Sequence, residues 1–251
     1  MINNKKVLVI IPARGGSKGL VGKNIKNLCG KPLIGWPIQA AKNCTLVDKI
    51  VVSTDDSDIA KIALTEGAEI PFMRPDQLAK DTSSTISVIE YTLNQLSDMG
   101  EIFEYCILLE PTSPLTENSD IEKALQILDS NLEIADSIVG VSEVVSAHPV
   151  FDNRIGASDL IEPFLEVDYS NVGRRQELEK LYFFEGSIYV STVAALQQNQ
   201  SFYHDRTLPY IVPKWKSFEI DDIVDFVCIE AIINNLSRIK EDADERSRAM
   251  E

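Results

Sequence analysis

The sequence predicts an α/β fold: a mostly parallel sheet with helices on both faces. Apolar, β-branched runs that read as buried strands recur at residues 7–11, 49–53, 105–109 and 135–141. Segments of helical apolar spacing at 33–42, 55–67, 82–96 and 118–128 alternate with them. The linkers are short, so successive strands cross over through a helix and run parallel, which covers both faces of the sheet.

Each element has a local reason. The run VLVII at 7–11 stops at Pro12 and enters a glycine-rich loop. Pro32 stands where a helix over 33–42 can start, and Pro37 falls in its first turn or kinks it. After strand 49–53, Asp55, Asp56 and Ser57 are N-cap candidates and Gly67 is the C-terminal stop. Ser or Thr opens the helix over 82–96, and Ser119 or Asp120 caps the one over 118–128. The alternation breaks at about 143–185, which has two prolines and a mixed sequence. A strand at 187–191, a helix over 220–236 and a charged, frayed tail complete the reading.

A chain of 251 residues suits one domain with an excursion, and 44% hydrophobic with 25% charged residues is ordinary for a soluble fold. Net charge −15 argues against nucleic-acid binding, which wants a basic face. Cys29, Cys44, Cys106 and Cys228 are scattered without CxxC spacing, which disfavours structural zinc and a disulfide framework. The first apolar run is too short for a secretory signal, and no stretch approaches a membrane span. A cytoplasmic protein is expected.

Ligands of open α/β sheets bind beyond the carboxyl ends of the strands. The glycine loop, Thr54-Asp55-Asp56 and Glu110-Pro111-Thr112 all fall there, which predicts one shared cleft. In the loop, Gly15, Gly16 and Gly19 let a ligand approach the backbone, whose successive N–H groups can form an anion site. Arg14, Lys18 and Lys23 add positive charge on an acidic chain, and a polyphosphate is the natural guest. Neither GxxxxGK[ST] nor GxGxxG is present, which disfavours a Walker-type hydrolase or an NAD enzyme.

The loop IPARGGSKGLVGKN at 11–24 resembles the signature of the CMP-sialic acid synthetases, the cytidylyltransferases that activate sialic and related nonulosonic acids. VVSTDD at 51–56, RPDQLAKDTSST at 74–85, LLEPTSPL at 108–115, RRQ at 174–176, GSIYVS at 186–191 and FEIDDIVDF at 218–226 follow in the family's order. The resemblance implies a Rossmann-like nucleotidyltransferase fold over 1–251, with 143–185 projecting to form a homodimer in which Tyr182, Phe183 and Phe184 are interface candidates. It implies attack of a sugar's anomeric hydroxyl on the α-phosphate of CTP, with release of pyrophosphate and Mg²⁺ as cofactor.

By the same resemblance, Arg14 and Lys23 are the catalytic cations, and Ala13, Gly15, Gly16 and Ser17 complete the phosphate cradle. Asn24 contacts the nucleoside; Arg74, Ser84 and Thr85 read the cytosine. Arg175, assisted by Arg174, takes the sugar's carboxylate beside Glu110, and Asp221 with Glu219 holds the metal. From the residues alone, Arg74 reads as a surface ion pair, Ser84 or Thr85 as a helix cap, and His148 as structural. Four positions depart from the family pattern: Glu110 stands for a glutamine, Thr116 for an arginine, Glu185 for an asparagine and Glu219 for an aspartate. They leave the sugar open among sialic, legionaminic, pseudaminic and shorter ulosonic acids, with a non-catalytic nucleotide-binding protein as the contrasting reading.

Overall fold

The computed structural model describes residues 1–16, 19–145, 147–166 and 177–249. The first strand, β1 (Val7–Pro12), is flanked in parallel by β4 (Lys49–Ser53) and β5 (Tyr105–Leu108). β9 (Tyr182–Thr192) runs antiparallel between β5 and β6 (Ser137–Glu143), and β10 (Thr207–Ile211) adds a parallel edge. The order of this six-stranded sheet is β10-β6-β9-β5-β1-β4. β9 is the only one of these strands that opposes its neighbours, so the sheet is mostly parallel, as the alternation predicts.

Successive residues of β1 point to opposite faces, and both faces are covered. Val7, Val9 and Ile11 pack beneath α1 (Gly35–Lys42), α2 (Ser57–Glu66) and α4 (Asn118–Ser130). Leu8 and Ile10 pack beneath α3 (Thr85–Asp98) and α5 (Val193–Asn199). All five are fully buried, each contributing about 1.5–3 kcal/mol of apolar transfer. A third cluster, with Leu28, Leu33, Leu115, Ile220, Phe226 and Ile229, seats α6 (Ile223–Asn234) and the loop before it against the short hairpin of β2 (Asn27–Leu28) and β3 (Lys31–Pro32).

Several boundaries differ from the sequence reading. Pro32 ends β3 instead of opening a helix; α1 starts at Gly35 and takes Pro37 in its first turn. Asp56 caps α2 and Gly67 ends it, as read. α4 is capped by Glu117 in a reciprocal box with Asp120, not by Ser119 or Asp120 itself. β9 begins five residues early, at Tyr182, because its first turn of chain pairs with the end of β6. The charged tail forms α7 (Leu236–Ala249), tied to α4 by Lys240 Nζ on Glu117 Oε1 at 2.5 Å.

The excursion carries a hairpin of β7 (Asn153–Ile155) and β8 (Ile161–Pro163). Ile155, Leu160, Ile161 and Phe164 on and beside it are exposed, as are Tyr182, Phe183 and Phe184. His148 caps the turn before the hairpin, Nδ1 accepting from the Val150 amide at 3.3 Å, which is the structural role read for it. Cys106 is a buried core residue. Among the described residues, no helix is long and apolar enough to cross a membrane.

Candidate active site

At the ends of β1 and β5 the chain opens into a cleft of about 480 Å³ lined by the glycine loop and by Glu110, Pro111 and Thr112, whereas Thr54, Asp55 and Asp56 are not among its lining residues. Arg14, Lys23, Asn24, Arg74, Thr85, Glu110 and Asp221 all face it. Four stretches of sequence, from residue 14 to residue 221, thus meet in one place.

The start of the glycine loop is pinned. The Ala13 amide donates to the Ser53 carbonyl at 3.0 Å, continuing the sheet, and the Gly15 amide donates to Asp55 Oδ1 at 3.1 Å. These two N–H groups are therefore engaged within the protein and are not open donors for the cradle expected from Ala13 to Ser17. Asn24 is buried, and its Nδ2 donates to the Arg14 carbonyl at 3.0 Å, so it braces the loop from behind. Gly19 is needed for close approach: a Cβ there would lie 2.3 Å from the Asp221 carbonyl oxygen. That contact brings the loop against the segment before α6. Ser17 falls outside the described residues.

Two cations from the glycine loop and the turn after it line the cleft. Arg14 Nη1 donates to Asp81 Oδ1 at 2.6 Å. Lys23 Nζ donates to the Ile220 carbonyl at 2.7 Å and stands 3.5 Å from Asp221 Oδ1. Arg74, which also lines the cleft, is buried instead of forming a surface ion pair. Its Nε donates to Ser53 Oγ at 3.2 Å and its Nη2 to the Ser53 carbonyl. Burial pulls its pKa down to about 10, Asp55 working against that shift and Arg14 adding to it. Ser84 is the N-cap of α3, accepting from the Ser87 amide at 3.1 Å, while Thr85 lines the cleft. The cap reading thus holds for Ser84.

Carboxylates gather beside Lys23. Glu219 is pushed up to about 7, first by burial and then by the charges of Glu110, Asp221 and Glu185, with Lys23 as the partial offset. Burial raises Glu110 as well, although Thr112 Oγ1 donates to its Oε2 at 3.3 Å. Asp221 is largely exposed at the rim. Among the described residues, no three His, Cys, Asp or Glu side chains are arranged to hold a metal ion. Glu219 and Asp221 still fit a divalent ion as partial ligands: both are hard oxygen donors that repel each other, and Lys23, 3.5 Å from Asp221 Oδ1, offsets only part of that charge.

A side hollow of about 170 Å³ shares Thr85 and Glu110 with the cleft and continues to Ile86, Leu108, Tyr189, Phe202 and Tyr203. Tyr189 and Tyr203 are hydrogen-bonded through their hydroxyls and are held protonated by burial and nearby carboxylates. Glu185, by contrast, is turned into the protein behind the cleft. It is 2% exposed, its Oε1 accepts from the Ser187 amide at 3.2 Å, and burial lifts it to about 7. Thr116 is also buried, donating to the Ser113 and Ser187 carbonyls. These two departures from the family pattern therefore reshape the support of the cleft and not its surface. Arg174 and Arg175 lie outside the described residues.

Sequence reasoning missed Asp81 and Lys80, which line the cleft, and the Tyr189–Tyr203 pair. Asp81 sits within a stretch already singled out; Tyr203 lies in a loop with no local pattern to mark it.

The comparisons agree with this geometry. A family model described as Cytidylyltransferase matches residues 8–211. The chain is 35% identical over 230 residues to CMP-N,N'-diacetyllegionaminic acid synthase of Legionella pneumophila, covering 91% of this chain and 96% of that protein. It is 32% identical over 237 residues to N-acylneuraminate cytidylyltransferase of Escherichia coli, covering 94% of this chain and 54% of that one. Among solved structures, a CMP:2-keto-3-deoxy-manno-octonic acid synthetase complexed with CTP superimposes with a TM-score of 0.67 at 17% identity, over 92% of this chain and 99% of that chain, a likeness of fold. By the family model over residues 8–211 and the identity to these relatives, the chain belongs to the cytidylyltransferase family and is a nucleotidyltransferase.

Proposed function

We propose that this enzyme transfers CMP from CTP to the anomeric hydroxyl of a sialic acid-like nonulosonic acid, in the cytoplasm and as a homodimer. The observation that carries the reading is the convergence of Arg14, Lys23 and Arg74 at the ends of β1 and β4, with a separate hollow alongside. The relatives' substrates support it.

In this reading the triphosphate lies along Arg14 and Lys23, and the cytosine lies toward Arg74 and Thr85. The sugar hydroxyl oxygen forms a bond to the α-phosphorus, the bond to the bridging oxygen breaks, and pyrophosphate leaves with that electron pair. The hydroxyl proton passes to solvent or to a carboxylate. Such chemistry asks the protein for placement and for positive charge on the leaving group, which Lys23 supplies. Mg²⁺, held by Asp221 and Glu219, would add charge on the phosphate oxygens. Arg175 and Arg174 are assigned to the sugar's carboxylate.

The side hollow favours a sugar with acylamino groups over a shorter, unsubstituted ulosonic acid. Its apolar floor of Ile86, Leu108 and Phe202 suits a methyl group, and its tyrosine hydroxyls suit an amide. The exposed apolar side chains of the β7–β8 hairpin, with Tyr182 and Phe183, are natural interface material.

The test is pyrophosphate release with each of the four NTPs and Mg²⁺, against sialic, legionaminic, pseudaminic and shorter ulosonic acids. Release with CTP and one nine-carbon acid is expected, together with its loss on chelation by EDTA. Release only with a shorter acid, or with another NTP, would overturn the reading.

A further inference from the structure

We propose that Asp81 is a positioning residue that aims Arg14 at the transferring phosphate. This rests on the reading of Arg14 as a triphosphate ligand.

Arg14 is a long side chain on a loop, and such a side chain is an inefficient electrophile unless its rotamers are restricted. The structure restricts it at both ends. Its backbone is clamped by Asn24 Nδ2 on the Arg14 carbonyl at 3.0 Å and by the next amide, Gly15, on Asp55 at 3.1 Å. Its tip is held by Asp81 Oδ1, 2.6 Å from Nη1. A guanidinium has five N–H donors in a rigid fork, so one bond to Asp81 leaves other donors for phosphate oxygens.

Asp81 is itself a fixed post. It sits in the turn closed by the Ser83 amide on the Lys80 carbonyl at 3.0 Å, and Ser83 Oγ ties that turn back to the Gln77 carbonyl at 3.0 Å. The next residues, Ser84 and Thr85, cap and open α3, whose inner face is in the core. Upstream, the Arg74 amide is bonded to the Thr54 carbonyl at 2.8 Å at the end of β4. The stretch proposed to read the base therefore also carries the carboxylate that orients the phosphate cation.

Two physical arguments separate this from blander roles. The pair is partly exposed, with Arg14 at 33% and Asp81 at 46%, and such pairs contribute little to stability. A stability role is thus a poor reason for it. A carboxylate beside an anion site also repels the triphosphate, so a simple bystander would weaken CTP binding. The arrangement makes sense if orientation in the transition state outweighs that repulsion.

The experiment is a double-mutant cycle on pyrophosphate release. For Asp81→Asn, we expect kcat to fall roughly tenfold while KM for CTP changes less than about threefold, with the melting temperature unchanged. Asp81→Glu should recover part of kcat. In an Arg14→Lys background, Asp81→Asn should cost almost nothing further, because the two act as a unit. A lower KM with unchanged kcat would make Asp81 a competitor for Arg14 and overturn the proposal. So would an equal loss in both backgrounds. An inactive wild-type protein would instead count against the proposed function itself.

Discussion

Replacing Lys216 with Met probes the ion pairs that tie the segment before α6 to the start of α4. Lys216 is 6% exposed, with Nζ 2.6 Å from Asp120 Oδ2 and 2.7 Å from Glu117 Oε2. Methionine keeps the apolar stem, so the loss is the charge. Removing one partner of a buried pair costs about 3–5 kcal/mol because the other charge is left uncompensated. Here the low end applies: Asp120 keeps the Tyr210 hydroxyl at 3.0 Å and the Glu117 amide at 2.8 Å, and Glu117 keeps Lys240. A loss of about 3 kcal/mol lowers Tm by about 6–12 °C in a protein of this size. The check is a calorimetric or fluorescence melt at pH 7, repeated in acid. Burial pushes Glu117 up from 4.5, but its bonds to Lys216 and Lys240 outweigh that and depress it. The stabilisation from a depressed carboxylate is present above its unfolded value, near 4.5, and is lost as pH falls through the lower folded value. The gap between wild type and variant should therefore narrow below about pH 4.5. A shift under about 3 °C at pH 7, or a gap that stays constant into acid, would refute the reasoning.

Other expectations are simpler to state. Lys23→Ala should lower kcat at least a hundredfold with a much smaller loss of CTP affinity by titration calorimetry, since its charge matters most on the leaving pyrophosphate. Gly186→Ala places a side chain at φ +75, with its Cβ 1.6 Å from Glu219 Oε1. Backbone strain costs about 1–2 kcal/mol, whereas the flexible Glu219 end must move aside; a tenfold or greater fall in kcat with a modest Tm shift is expected. Ile161→Asp, at an exposed hairpin position, should convert a dimer to a monomer by light scattering at micromolar concentration, with the melting of the core sheet retained.

Much of the site was legible because its chemistry is local. The glycine loop, the RP…LAKDTSST stretch and the segment before α6 each carry charged residues in patterns that read without a fold, and the structure brings all of them into one cleft. What resisted reading was any feature set by a neighbour distant in sequence. Arg74 looks like a surface cation from its own residues, yet it is buried because β4 ends beside it and Ser53 offers both a hydroxyl and a carbonyl. Glu185 looks like a change in the sugar pocket, yet it turns away behind β9. The Ala13 amide looks free for phosphate until the parallel pairing with Ser53 claims it.

The same division holds for the fold. Strand–helix alternation on short linkers was enough to determine a mostly parallel sheet, because crossover geometry leaves few alternatives. Periodicity was also enough for the cores of the helices, with Asp56 and Gly67 marking the ends of α2. The antiparallel insertion of β9 between β5 and β6, its early start at Tyr182, and the helix made from the charged tail were decided by tertiary pairing alone. The place of β9 is fixed by its pairing with both β5 and β6, and that of α7 by contacts such as the Lys240–Glu117 ion pair. Those are properties of the assembled sheet and its neighbours, and no window of sequence contains them.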